Sequence, residues 1–212
     1  MRLSVTVSLF AASLALCSAL PAAAQYIGVL QSAETLDKGV VKLMAAPIMV
    51  FGKNGADDAF GLAARAGYGF TKSIDAEAKL GFFENGTYIG ADVEFWLLRG
   101  KEKDQGLDGS ITGGLHYLLG SDENLDTIGF DVMPQVSLHV SKDLELCGAL
   151  TASFESLQDA PPGADDSFTR VHLVPGFEYR LSDSLDLVGE VGIALNDHSS
   201  TYGGAGLSFY LH

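Results

Sequence analysis

From Val40 to Leu211 apolar and polar residues alternate with period two, and turn chemistry interrupts the alternation at intervals. Side chains along a strand point to opposite faces, so each alternating segment offers one greasy face and one polar face. The pattern predicts ten strands, over 40–52, 58–71, 75–84, 87–99, 107–120, 127–141, 144–157, 168–182, 185–196 and 201–212. In the ninth, Leu185, Leu187, Val191, Ile193 and Leu195 share a face with Gly189, opposite Asp186, Val188, Glu190, Gly192, Ala194 and Asn196. The last sets Leu207, Phe209 and Leu211 against Tyr202, Ser208, Tyr210 and His212. The first is the least regular, with Lys42 among Val40, Met44, Ile48 and Val50. Between segments lie Lys53-Asn54-Gly55, Glu84-Asn85-Gly86, Ser121 to Asn124, and Asp159 to Ser167 with Pro161-Pro162-Gly163. Such residues supply positive φ, preset φ or local side-chain caps, and so make reversals. No sustained helical period appears after residue 24.

Alternation alone does not say which face is outside. Three features place the greasy face outward. The polar face is crowded with Gly, Ala, Ser and Thr, which suits a narrow lumen better than a hydrated exterior. Phe51, Phe60, Phe70, Tyr117, Phe130 and Tyr179 fall near strand ends, where an interfacial girdle sits. The chain also ends inside a strand. Without a run of about 18 apolar residues in the mature chain, membrane residence requires a closed barrel, which satisfies every backbone polar group. The expected fold is all-β, a closed antiparallel up-and-down transmembrane barrel of ten strands, with eight or twelve as alternatives. The short connections at Thr71 to Asp75, Lys142-Asp143 and Ser182 to Ser184 fall at every second reversal, as periplasmic turns do. Residues 100–106 are long for that side.

The N-terminus reads separately. Arg2, the apolar stretch Leu3 to Leu20, and Ala22-Ala23-Ala24 before Gln25 form a signal peptide over 1–24. Cys17 raises a lipidated alternative, but Leu16 stands where a small residue is wanted. Residues 25–38 are expected as a short periplasmic lead, and 39–212 as the barrel. The full chain carries 13 Lys+Arg and 27 Asp+Glu, a formal charge of −14, and loss of Arg2 makes it −15. That balance excludes a nucleic-acid partner, which needs a basic stripe. Cys147 is the one mature cysteine, so neither an internal disulfide nor a cysteine metal site can form.

The signal peptide, the strands from Val40 to Leu211, the turn Thr71-Lys72-Ser73-Ile74-Asp75-Ala76-Glu77 and the Gly206/Phe209/Leu211 ending are similar to those of small bacterial outer-membrane β-barrel proteins, the porin-like and OmpA/OmpX-type barrels. The C-terminal strand resembles the signal by which such barrels are assembled, although His212 departs from the commoner aromatic last residue. The resemblance implies residence in the bacterial outer membrane, with its lipid and the barrel-assembly machinery as partners.

The register puts Lys42, Arg65, Lys79, Arg170 and Arg180 in the lumen with Glu77, Asp92, Glu94, Asp131, Glu145, Glu178, Asp186 and Glu190. Such charges have to be paired. Acids outnumber bases, and carboxylate rings favour cations, so a structural barrel or a narrow, weakly cation-preferring pore is expected, with small cations as solute. The alternatives are a surface interaction protein acting through its external loops, above all 158–167, and a lipid A-modifying hydrolase. His198-Ser199-Ser200 resembles the His-x-Ser pattern of lipid A deacylases, but no acid follows it and Asp197 faces the other way on a strand. His116, His139 and His172 share the lumen face, and the sequence does not set their heights. No catalytic, cofactor-binding or metal-binding residue is assigned, and no enzyme activity is expected. Pro134 and Pro175 are expected to mark bulges or breaks in pairing.

Overall fold

The structure, a computed structural model, describes residues 28, 31–53, 57–84, 86–100, 106–120, 126–158, 160 and 166–212. The proposed signal peptide, all of the 121–124 connection, most of the 158–167 connection, and parts of the 53–55 and 100–106 connections lie outside these residues.

Ten strands form one closed antiparallel barrel, each paired with its neighbours in sequence, the first also with the last. They are β1 (Val41–Val50), β2 (Ala59–Gly69), β3 (Ile74–Phe83), β4 (Gly86–Leu98), β5 (Leu107–Gly120), β6 (Thr127–His139), β7 (Leu144–Leu157), β8 (Ser167–Ser182), β9 (Leu185–Ala194) and β10 (Tyr202–Leu211). No strand end differs from the expected bound by more than two residues. Closure runs from Val41 opposite Leu211 to Val50 opposite Tyr202.

The greasy face is outside. Leu62, Leu80, Leu115, Leu150, Leu173 and Val191 are exposed from mid-strand, on the face opposite the charges. Aromatics collect at the two ends of this apolar band. Phe51, Phe60, Phe82 and Phe154 are exposed near one end, and Tyr68, Phe70, Phe95, Tyr179 and Phe209 near the other. A surface of this composition matches hydrocarbon flanked by interfaces. Tyr117 departs from the girdle: it is half-buried, and its hydroxyl donates to Asp126 Oδ2 at 2.6 Å.

The in-strand prolines interrupt pairing without shifting it. On β6 the ladder to β7 passes from Val132–Ala152 to Gln135–Ala149 in one register, skipping Pro134. On β8 the ladder to β9 passes from Leu173–Ile193 to Gly176–Glu190, skipping Pro175. A missing N–H removes a rung but adds no residue. The register shifts lie elsewhere, at Trp96/Leu98 and Arg180/Ser182, close to strand ends.

Candidate functional site in the lumen

Of the thirteen charged residues expected to line the lumen, eleven are buried in it: Lys42, Arg65, Glu77, Lys79, Asp92, Glu94, Asp131, Glu145, Arg170, Asp186 and Glu190. Glu178 is half-buried, and Arg180 is exposed at the rim. The buried charges fall into separate groups.

The first group spans β1 to β4. Ladder neighbours on this wall carry like charges: Arg65 stands opposite Lys79, and Glu77 opposite Asp92. Directly opposed like charges repel, so the stabilising contacts are those between opposite charges. Lys42 pairs with Glu77, and Lys79 with Asp92. Arg65 Nη2 lies 2.5 Å from Glu77 Oε2 and 3.8 Å from Asp92 Oδ2. Gly67 makes the Lys42–Glu77 contact possible. It lies between Lys42 and Glu77 in the ladder, and without a side chain it lets Lys42 reach across a whole strand.

The second group, on β5 to β8, uses the same device. Gly129 lies between His116 and Glu155, and a Cβ there would come within 2.3 Å of the His116 ring. His116 Nδ1 is 2.8 Å from Asp131 Oδ2, whose Oδ1 accepts from Ser153 Oγ at 2.5 Å. Arg170 Nε lies 3.0 Å from Glu155 Oε1, as an ion pair. Asp131 thus sits between histidine and serine, so the imidazole contacts the carboxylate and not the serine hydroxyl.

The N-terminal segment enters the barrel. Gln31 Nε2 donates to Glu94 Oε2 at 3.1 Å, and Gln31 Oε1 accepts from Arg65 Nη2 at 2.9 Å. Ala33 N donates to Ser137 Oγ at 3.3 Å, Thr35 Oγ1 to the Lys72 carbonyl at 3.2 Å, and Leu36 N to Asp75 Oδ2 at 2.7 Å. Gly28, at φ +64°, packs where a Cβ would be 2.0 Å from Glu190 Oε1. This stretch, expected only as a short lead before the first strand, thus bonds to the inner wall of the barrel. Burial pushes the Glu34 carboxyl above its usual range, against the pull of His139.

Toward the other end the side of the lumen lined by β10 and β1 to β5 is apolar, while Arg170 and Glu155 line the β7–β8 side. Ile48, Val50, Phe83, Tyr88, Leu118 and Tyr202 are buried together, with Tyr202 donating to Glu190 Oε1 at 2.9 Å. Among the described residues a cavity of about 10 Å³, the size of one water, lies beside Gln31, Gln135, Cys147 and Glu190. The alternating pattern did not reveal this upper layer, because its residues occupy lumen-parity positions where polar groups were expected.

The histidines do not meet. His116 and His172 sit toward the apolar end, whereas His139 closes β6 at the opposite rim. His172 Nε2 is bound to the Ser200 carbonyl at 3.0 Å. His198 is exposed and stacks on Phe168 at 5.8 Å, while Ser199 Oγ bonds both the N and O of Val171. Histidine and hydroxyl are occupied separately, and their bonds hold the last reversal against β8.

No protein-family model matches the chain, and no curated protein matches it in sequence. Solved structures do. An outer-membrane channel from Pseudomonas putida F1 is similar at 9% identity, over 84% of this chain and 97% of that one, with a TM-score of 0.57. KdgM porin is similar at 10% identity (81% and 99% covered, TM-score 0.46), as is NanC porin (10%, 80% and 100%, TM-score 0.47). The first of these carries the comparison, and at such identity it speaks to architecture. The chain has the fold of the outer-membrane β-barrels.

Proposed function

We propose that this protein is a narrow, cation-preferring channel of the bacterial outer membrane, exported by its signal peptide and assembled through its C-terminal strand, with a lumen closed at rest by residues 31–36. The observation that carries the reading is Gln31 wedged between Arg65 and Glu94. A removable segment, held by hydrogen bonds and no strand pairing, occupies the space an ion would use. The excess of lumen carboxylates over bases supplies the preference for cations. The apolar exterior and the channel-like fold supply the membrane setting.

A second reading, a barrel serving the envelope as structure, draws on the two ion-pair groups that fill the walls. Single-channel recording separates the two. The mature protein and a variant lacking residues 31–36 are compared in a planar bilayer under a KCl gradient. Rare openings in the first and frequent small steps with a cation-leaning reversal potential in the second are expected. A folded deletion variant as silent as the parent favours the structural reading.

A further inference from the structure

At the rim where the N-terminal segment enters, His139 is surrounded by carboxylates from three different parts of the chain. It is the last residue of β6 and stands directly opposite Glu145 of β7. Asp108 comes from β5, opposite Ser137, and Glu34 from the segment inside the barrel. His139 Nδ1 is 3.6 Å from Glu145 Oε1 and 3.8 Å from Asp108 Oδ2, and Nε2 is 3.8 Å from Glu34 Oε2. None of these contacts is short enough for a hydrogen bond. One donor atom from each of Glu34, His139 and Glu145 lies within 4.8 Å of the other two.

The charges are unbalanced. Among the described residues no lysine or arginine forms an ion pair with Glu34, Asp108 or Glu145. Asp108 Oδ1 is engaged by Trp96 Nε1 at 3.1 Å and Gly100 N at 2.8 Å. Glu145 has only 8% of its surface exposed, and its Oε1, the atom facing His139, accepts no hydrogen bond. An acceptor buried without a donor is costly, and one imidazole cannot neutralise three carboxylates.

We propose that Glu34, His139 and Glu145 bind a divalent transition-metal cation of the Zn²⁺ class and so tie the N-terminal segment to the barrel wall. Imidazole with carboxylates suits such ions, whereas Ca²⁺ and Mg²⁺ take all-oxygen shells. Metal–ligand bonds of about 2.0–2.2 Å set tetrahedral donor atoms about 3.3–3.6 Å apart. An imidazole ligates one ion through one ring nitrogen, so only one of the two His139 contacts is already near that spacing, and the three donor atoms, now within 4.8 Å of one another, must draw together around the ion. A cation there supplies the missing positive charge and gives Glu145 Oε1 a partner. Glu34 contributes from outside the strands, so the same ion bridges segment and wall. The site stands whether or not the lumen conducts.

The test is calorimetric titration of Zn²⁺ into untagged, EDTA-stripped mature protein in detergent micelles, with Ca²⁺ and Mg²⁺ as controls. One Zn²⁺ per chain is expected, with H139Q and E34Q each weakening binding by more than about tenfold. Co²⁺ in the same site gives the absorption bands of a tetrahedral nitrogen–oxygen shell. Because Glu34 lies outside the barrel strands, E34Q keeps the barrel folded, and heat-modifiable gel mobility verifies this. No saturable Zn²⁺ uptake, equal affinity for Ca²⁺, or uptake indifferent to H139Q overturns the site. Uptake lost in H139Q but unchanged in E34Q overturns the tie to the segment.

Discussion

Arg65 donates a 2.9 Å hydrogen bond to Gln31, and the same guanidinium nitrogen lies 2.5 Å from Glu77. The wall's ion-pair network therefore also grips the segment inside the lumen. A residue of the barrel wall and one of the segment inside it are joined at a single nitrogen, so loosening either contact should loosen the other.

Weakening the grip without touching the ion pairs is expected to open the lumen. Asp75 accepts the Leu36 amide at 2.7 Å, and Gln31 bridges Arg65 to Glu94. The double variant Q31A/D75A removes both anchors. Each lost bond is worth about 0.5–1.5 kcal/mol, more where a charged group takes part, so open time should rise by about tenfold or more in single-channel records.

Cys147 offers a chemical reading of the same motion. It lines the small cavity beside Gln31. A hydrophilic maleimide should label it slowly in the intact protein and much faster once residues 31–36 are deleted, followed by mass spectrometry. Equal rates in both place the segment elsewhere.

Glu77 holds two bases, Lys42 and Arg65, on a wall where neither can be solvated. E77Q strands Lys42 and leaves Arg65 only the more distant Asp92 as a carboxylate, and breaking a buried pair costs about 3–5 kcal/mol. Urea unfolding followed by the fluorescence of Trp96, the single tryptophan, measures it. Arg180, exposed at the rim, is the control: R180Q should shift the midpoint little.

Gly129 is expected to resist substitution. A Cβ there meets the His116 ring at 2.3 Å, so G129V forces the ring away from Asp131 or Glu155. Overpacking costs about 1–3 kcal/mol. At Gly113 the nearest atom to an added Cβ is 4.0 Å away, and G113A should be neutral in the same unfolding assay.

Leu150, exposed at mid-strand on β7, tests the outer face. L150R should lower folding stability in lipid vesicles by about 2–4 kcal/mol, the cost of a base near the bilayer midplane. Leu181, near the strand end, should tolerate arginine at about 0–1 kcal/mol.

The sequence by itself determined the all-β barrel, the strand bounds to within two residues and which face is greasy, while the closed ladder settled ten strands against eight or twelve. Period-two alternation and turn residues are local signals, and each strand of a barrel obeys them independently of its partners. It also put Lys42, Arg65, Glu77 and eight more of the buried charges on the inner wall, because side-chain parity follows from position along one strand, but it missed Asp75 and Asp108 near strand ends. Only the tertiary structure decided which charges meet. Lys42 reaches Glu77 and His116 approaches Glu155 across Gly67 and Gly129, and those relations depend on register between strands, which alternation does not encode. The segment around Gln31 stayed invisible for the same reason. It forms no strand and has no period, and its bonds join residues as much as 104 positions apart.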